Sequence, residues 1–189
     1  MDAHGYALLR GLLLALVLSL SACRNGGPAS AAAPPPVAEI PDDARGHYCG
    51  MYMFEHPGPK GQVLIRDEDK PIWFSTIREV FAFSIMPDEP KAILAIYVQD
   101  VAHLQPDGSF PPDAWIDARQ ASYLAGSDHL GNMGVPDVLP FGDEAAAQAF
   151  QQEHGGRLVA FDDMPEDLIF GTAAGTPPAA RSTRTGATP

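Results

Sequence analysis

The fold is decided by the stretch Phe74-Ser75-Thr76-Ile77-Arg78-Glu79-Val80-Phe81-Ala82-Phe83. A short apolar run ends at Phe74, and the serine and threonine that follow are residue types that cap the start of a helix. We therefore predict a helix that continues to about Phe83. The same pattern returns 67 residues later, where Phe141 and Phe150 take the places of Phe74 and Phe83. A repeated strand-to-helix junction indicates two similar structural units.

The segments around the two junctions predict the same order of elements in each unit. In the first unit, residues 62–65 and 71–74 read as strands on either side of an acidic turn, and residues 91–98 read as a buried strand after the helix. The second unit has strand candidates at 121–124 and 138–141, a helix from Asp143 to the glycine pair 155–156, and a strand at 157–161. We therefore expect an α+β fold of two small ββαβ units, which cover residues 42–104 and 105–170.

Residues 1–22 have the features of a bacterial lipoprotein signal peptide. Arg10 precedes a ten-residue apolar run at 11–20, which is too short to span a bilayer because a helix needs about 20 residues to do so. The sequence Leu20-Ser21-Ala22-Cys23 looks like a lipobox, so we expect cleavage before Cys23 and acylation of that residue, for example with palmitate. This predicts a protein held on the periplasmic side by its lipid alone. Arg24, in place of an aspartate, favours the outer membrane over the inner membrane.

The remaining terminal segments are too poor in large apolar residues to form a core. Residues 23–41 are mainly Gly, Pro, Ala and Ser and are predicted to be a flexible tether, and residues 171–189 are predicted to be a disordered tail. The chain carries 24 acidic and 12 basic residues, with a formal net charge of −12. This charge argues against nucleic acid as a partner.

One free thiol is expected in the mature chain. With Cys23 acylated, Cys49 has no partner for an internal disulfide, and no Cys-x-x-Cys motif is present. Cys49 lies in the segment His47-Tyr48-Cys49-Gly50-Met51-Tyr52-Met53. In an extended chain, alternate side chains share a face, so His47, Cys49, Met51 and Met53 would point the same way. Cys49 and Met51 would then be close enough to hold one ion, and a bend at Gly50 would bring them closer.

The donor types in this segment favour copper(I). Thiolate and thioether are soft ligands that select copper(I) over harder divalent ions. We expect Cys49 and Met51 to bind the ion together with a third residue, for which Met133, in the loop 126–134, is the first candidate. His47, Met53 and His129 are further candidates. No role is assigned to His56, His103 or His154.

Three other interpretations of Cys49 stay open on the sequence alone. A buried cysteine behaves as a small hydrophobic residue. A methionine-rich surface suits an inert lipoprotein that docks a partner. A thiol beside His47 suits a hydrolase or lyase in which His47 acts as the base. The sequence favours a copper-binding protein that is not an enzyme.

Several motifs together resemble the NosL family of lipoproteins. They are the lipobox, Cys49-Gly50-Met51, the run 126–141 with Met133-Gly134 and Val138-Leu139-Pro140-Phe141, and the alanine-rich helix that closes on His154-Gly155-Gly156-Arg157. The resemblance implies a pair of ββαβ units and a periplasmic copper(I) chaperone that serves the assembly of nitrous-oxide reductase in denitrification. It also implies that the partners are this enzyme and its maturation transporter. The ligand pattern of the family corresponds to Cys49, Met51 and Met133.

Overall fold

The structure of the protein, a computed structural model, describes residues 32–130 and 136–171. The predicted signal peptide, Cys23 and the predicted tail from residue 172 onward lie outside these ranges. The strands and helices of the described residues are, in chain order, β1 Gly61–Ile65, β2 Ile72–Phe74, α1 Ile77–Ile85, β3 Ile93–Gln99, β4 Trp115–Asp117, β5 Ser122–Leu130, β6 Pro136–Phe141, α2 Glu144–His154, β7 Arg157–Ala160 and α3 Glu166–Phe170. Short 3-10 helices are formed by Met53–Glu55, Val101–His103 and Phe161–Asp163.

The strands form two antiparallel sheets with related topologies. The first sheet has the order β2-β1-β3-β4 and the second has the order β6-β5-β7. In each sheet the first strand of the unit lies in the centre, and its neighbours are the second strand and the strand that follows the helix. The two predicted ββαβ units are therefore confirmed. Strand β4 was not predicted. It lies in the range predicted for the second unit but joins the first sheet through its pairing with β3, a contact between residues distant in the sequence.

Both principal helices begin at the predicted capping residues. The Thr76 side chain accepts a hydrogen bond from the Glu79 backbone N–H, and the Glu79 carboxylate in turn accepts hydrogen bonds from the backbone N–H groups of Ser75 and Thr76. The Asp143 side chain caps α2 by accepting a hydrogen bond from the Ala145 backbone N–H, and Gly155 ends this helix with a φ of +67°. Among the described residues, no helix has the length and apolar character that crossing a bilayer requires.

The two units share one core. Phe81 of α1 lies between Tyr123 of β5 and Phe161, with ring centroids 4.9 and 4.8 Å apart. The side chains of Phe81 and Tyr123 are almost fully buried, and the Tyr123 hydroxyl donates to the carbonyl of Ala118. The helix of the first unit therefore packs on the central strand of the second. This contact fixes the first unit, which carries the predicted metal motif, relative to the second.

The folded body begins earlier than predicted. Val37, placed in the tether by the sequence analysis, exchanges two backbone hydrogen bonds with the side-chain amide of Gln62. Tyr97 donates to the Pro34 carbonyl, and Trp115 donates to the Ala38 carbonyl. Because Gln62 is fully buried, its amide depends on this segment for its hydrogen bonds. Composition alone did not indicate these contacts, since the partners lie in distant strands.

A buried carboxyl group lies on β6 close to the start of α1. Asp137 is only 6 % exposed, and burial raises its pKa to about 6. Hydrogen bonds from the backbone N–H groups of Val138 and Arg78, and the charges of Arg78 and Lys60, oppose that shift but do not cancel it. Ionised Asp137 therefore destabilises the folded chain at neutral pH.

We expect Asp137→Asn to stabilise the protein at pH 7 by about 3 kcal/mol and to leave its stability almost unchanged at pH 3.5. The folded-state pKa is raised, so the stability contributed by the protonated carboxyl is present below about pH 4 and is lost as the pH rises through about 6. Urea denaturation of both proteins across this range measures the difference. An equal difference at both pH values would contradict the assignment.

Candidate metal centre

The segment with the free cysteine forms a tight turn. The Gly50 N–H donates to the Gly46 carbonyl at 2.8 Å, and the Gly46 N–H donates to the Met51 carbonyl at 3.0 Å. Gly50 has a φ of +66°, a conformation that glycine adopts without strain. The Arg45 guanidinium lies 3.8 Å from the centre of the Tyr52 ring and so joins the two ends of the turn. The extended segment with four side chains on one face was therefore a wrong prediction, although the bend at Gly50 is confirmed.

The turn presents the thiol of Cys49 at the surface. The Sγ atom lies 3.7 Å from Nε2 of His56 and 3.8 Å from Oγ of Ser75. Ser75 directly precedes the Thr76 cap, so the start of α1 sets one side of the site. Since Cys49 is exposed, the interpretation as a buried core residue is wrong.

A glycine behind the thiol provides the space that the sulfur occupies. A Cβ atom at Gly46 would lie 2.6 Å from the Cys49 Sγ and 3.9 Å from the Met53 Sδ. The first distance is shorter than real contacts allow, so a larger residue at position 46 would push the sulfur away. The distance between the Cys49 Sγ and the Met53 Sδ is therefore at most the sum of these two distances. Gly46 thus allows the thiol and the thioether to approach each other.

The two methionines of the motif differ in exposure. Met53 is 1 % exposed and packs in a small cluster with Ala44, Trp73 and Trp115. Its sulfur therefore approaches the site from the interior of the protein. Met51 is 45 % exposed, so its side chain is open to solvent.

His56 was missed by the sequence analysis, although its Nε2 is close to the Cys49 thiol. The two residues are seven positions apart, a spacing that corresponds to no common ligand pair in an extended chain or a helix. The turn and the 3-10 helix Met53–Glu55 fold the chain back between them. One feature of the sequence indicated that the chain turns near His56. This residue directly precedes Pro57-Gly58, a pair that often reverses the direction of the chain. His56 is 7 % exposed, so its ring is held by its surroundings.

The candidate ligand His47 makes its polar contact with Glu89. Its Nε2 faces Oε1 of Glu89 at 3.3 Å, and the Tyr48 hydroxyl donates to the same oxygen at 2.8 Å. The His47 ring packs edge-on against Phe74 and Phe83. Burial and the Glu89 carboxylate also raise the pKa of Tyr48, so this hydroxyl stays protonated. These contacts attach the turn to the residues after α1, and they direct the Nε2 that a base or a ligand would use toward Glu89.

Of the two candidates from the second unit, only His129 is described by the structure, and its ring packs within that unit. Met133 falls in residues 131–135, outside the described ranges. His129 lies on β5, and its ring packs on Phe150 at 5.8 Å and His154 at 6.0 Å. His154 in turn meets Oδ1 of Asp128 at 2.9 Å. Within the described ranges, no three side chains of His, Cys, Asp and Glu come together in a way that would hold a metal ion.

The donors at the turn fit a soft monovalent ion. The thiol of Cys49, the imidazole of His56 and the thioether of Met53 meet around Gly46 and Ser75, and Met51 lies on the exposed side. Thiolate and thioether favour copper(I), and imidazole is also a copper ligand. A site with few ligands and one exposed side permits both binding and exchange of the ion.

Comparisons with known proteins relate the chain to copper-binding proteins. The NosL family model matches residues 36–169. The copper-binding lipoprotein NosL of Achromobacter cycloclastes is 35 % identical over 164 residues, which cover 86 % of this chain and 83 % of that protein. The protein of the same name from Stutzerimonas stutzeri is 29 % identical over 164 residues, 84 % of this chain and 82 % of its own.

A solved structure shares the fold. The crystal structure of the copper chaperone NosL from Shewanella denitrificans superposes with a TM-score of 0.60 at 32 % identity. The match covers 70 % of this chain and 98 % of that one. The resemblance drawn from the motifs is therefore confirmed, and the chain belongs to the NosL family.

Proposed function

We propose that this chain is a membrane-anchored metallochaperone that binds copper(I) at Cys49 and delivers it for the maturation of the copper centres of nitrous-oxide reductase. One observation carries the proposal. The surface turn places an exposed thiol 3.7 Å from an imidazole nitrogen and beside a buried thioether, which is a set of soft donors open to solvent on one side.

The relatives support the nature of the cargo. Two of them are named copper-binding lipoproteins, and the related crystal structure is that of a copper chaperone. Monovalent copper follows from the softness of the donors. Nitrous-oxide reductase and its maturation transporter are proposed as the partners on the basis of family membership.

The arrangement of the donors suggests how the ion leaves. Cys49 and Met51 lie on the exposed side of the turn, whereas Met53 and His56 are buried. An incoming donor from the acceptor can displace the exposed thioether of Met51 while Cys49 still holds the ion. Copper then passes through a shared intermediate and is never released to water.

The anchor and the compartment belong to the same proposal. Cys23 would carry the lipid on the periplasmic side, with the outer membrane favoured over the inner. Residues 24–33 would then separate the folded body from the bilayer. Copper(I) bound to Cys49 would also protect the sulfur from oxidation in this compartment.

Copper stoichiometry tests the function. The full chain with Cys23→Ala has one thiol, and we expect it to hold one equivalent of copper(I) against bicinchoninate under anaerobic, reducing conditions. The same chain should bind zinc(II) much more weakly, since tight zinc sites use about four Cys or His ligands. Retention of no copper by this protein would exclude the metallochaperone function.

His56→Gln is expected to weaken copper(I) binding about tenfold, which corresponds to about 1.4 kcal/mol. The substitution removes the imidazole nearest to the thiol and keeps a polar side chain of similar length. His47→Gln is the matched control, because the Nε2 of His47 faces Glu89. Competition with bicinchoninate measures both variants. A larger loss in His47→Gln than in His56→Gln would contradict the assignment of the two histidines.

A further inference from the structure

A groove of about 630 Å³ lies directly beside the candidate metal centre. We call it the Phe54 groove. Its wall is formed by residues 38–42, residues 53–58, Lys60, Gln99 and the loop 107–112. A groove of this size accommodates several side chains of a peptide.

The Phe54 groove is continuous with the copper site. Met53 and His56, which approach the Cys49 thiol, also line the groove. Phe54, between them, is 74 % exposed, although large apolar side chains are usually buried. Its ring stacks on Tyr52 with the centroids 5.3 Å apart. A molecule bound in the groove would therefore contact an apolar surface within one or two residues of the metal ligands.

The charge of the wall is predominantly negative. Four acidic residues line it: Glu39, Asp42, Glu55 and Asp107. Among the described residues, none of these carboxylates lies within 4.0 Å of a Lys, Arg or His nitrogen. Hydrogen bonds from Ser109 lower the pKa of Asp107, so this group stays ionised. The net charge of the whole chain, −12, adds to the local field.

The basic residue of the wall does not neutralise these acids. Lys60 is 6 % exposed, and its ammonium group donates to the carbonyl of Gly58. Burial lowers the pKa of Lys60 to about 8, so the group is still mostly protonated at pH 7. The charges that act on it are those of Asp137 and Glu79, which do not belong to the wall of the groove. With four carboxylates and one ammonium group, the groove offers net negative charge together with an apolar surface.

We propose that the Phe54 groove is the docking site for a basic segment, with at least one apolar side chain, of the protein that exchanges copper with this chain. The inference rests on the proposed function for the identity of the partner, and on the groove alone for its chemistry. Lysine or arginine side chains would meet the four carboxylates, and an apolar side chain would cover Phe54. The docked segment would place the donors of the partner next to Met53 and His56, which line the groove.

The first test needs no copper. Two synthetic peptides of equal length, one with four lysines and two leucines and one with glutamates in place of the lysines, are titrated into the apo form of the full chain with Cys23→Ala. We expect the lysine peptide to bind at least tenfold more tightly at 20 mM salt. The preference should decline at 300 mM salt, because the Debye length falls to well below about 10 Å.

Charge-matched variants localise the effect. The triple variant Asp42→Asn, Glu55→Gln and Asp107→Asn should lose most of the preference for the lysine peptide. The control triple variant Glu144→Gln, Glu153→Gln and Glu166→Gln changes the net charge equally on α2 and α3 and should keep it. If both variants lost the preference for the lysine peptide equally, the net charge of the chain would explain the preference. That result would overturn the proposal. No preference in the parent chain would also overturn it.

A measurement of copper transfer separates this proposal from the proposed function. Copper(I) transfer to the same lysine peptide with an added Met-x-x-Met motif should be about tenfold slower from the groove variant than from the control variant. Failure of the parent chain to bind copper would refute the proposed function, while the copper-free titration would still decide the groove. If the apo chain sediments as a dimer and the lysine peptide prevents this dimerisation, the groove binds a second copy of the chain. That result would overturn the proposal.

Discussion

Cys49→Ser is expected to lower the copper(I) affinity of this protein at least a hundredfold, which corresponds to about 2.7 kcal/mol. The substitution replaces the one thiolate of the site with a hydroxyl, a hard donor that binds copper(I) poorly. Met51→Leu should cost at least tenfold, since a thioether is a weaker ligand than a thiolate. Both variants are made with Cys23→Ala and measured by competition with bicinchoninate under anaerobic conditions.

The same variants carry their own control for folding. Cys49 and Met51 are exposed, so neither substitution removes core contacts, and the free energy of unfolding should change by less than about 0.5 kcal/mol. Loss of affinity with unchanged stability would locate the copper ion at the turn. Unchanged affinity in Cys49→Ser would place the copper ion elsewhere in the chain.

Phe81→Ala is expected to destabilise the whole protein by about 3–5 kcal/mol. The side chain is 2 % exposed and lies between Tyr123 and Phe161, which belong to the other unit. Its loss leaves a cavity where the two units meet. Because the core is shared, both units should still unfold in one transition, at a lower urea concentration.

Two spectroscopic signals report on different parts of the structure during unfolding. Trp73 and Trp115 both lie in the first sheet, so their fluorescence reports on that sheet. Far-UV circular dichroism reports on the helices of both. Coincident transitions are expected for the parent chain, and Phe54→Ala is the matched control because Phe54 is mostly exposed. Separate transitions in the parent, or a loss below about 1 kcal/mol in Phe81→Ala, would contradict a shared core.

Much of the fold could be predicted because its signals are local. Thr76 and Asp143 cap helices through bonds within three residues of themselves, and Gly155 ends a helix through its own backbone conformation. The strands at 61–65 and 93–99 are short apolar runs that need no distant information, although the second is only partly buried. The repeated order of these elements was therefore visible along the chain. Strand β4 and the residues 34–38 were not, since distant strands hold them in place.

The geometry of the candidate metal centre was predicted only in part, for a related physical reason. Cys49 and Met51 were proposed as ligands from donor chemistry, which does not depend on the path of the chain, and they stay a prediction. The relative positions of these side chains depend on the path of the chain, and the assumption of an extended conformation was wrong. Two glycines and the contact between Arg45 and Tyr52 produce a turn, which directs His47 to Glu89 and brings His56 to the thiol. Such contacts cannot be read from spacing.

X-ray absorption at the copper edge tests the central claim most directly, since it counts the atoms bound to the ion. The sample is the full chain with Cys23→Ala, loaded with one equivalent of copper(I) under reducing conditions. We expect a first shell that contains sulfur from Cys49 and at least one methionine, together with one nitrogen that disappears in His56→Gln. A shell of nitrogen and oxygen alone, unchanged in Cys49→Ser, would contradict a copper site at the turn.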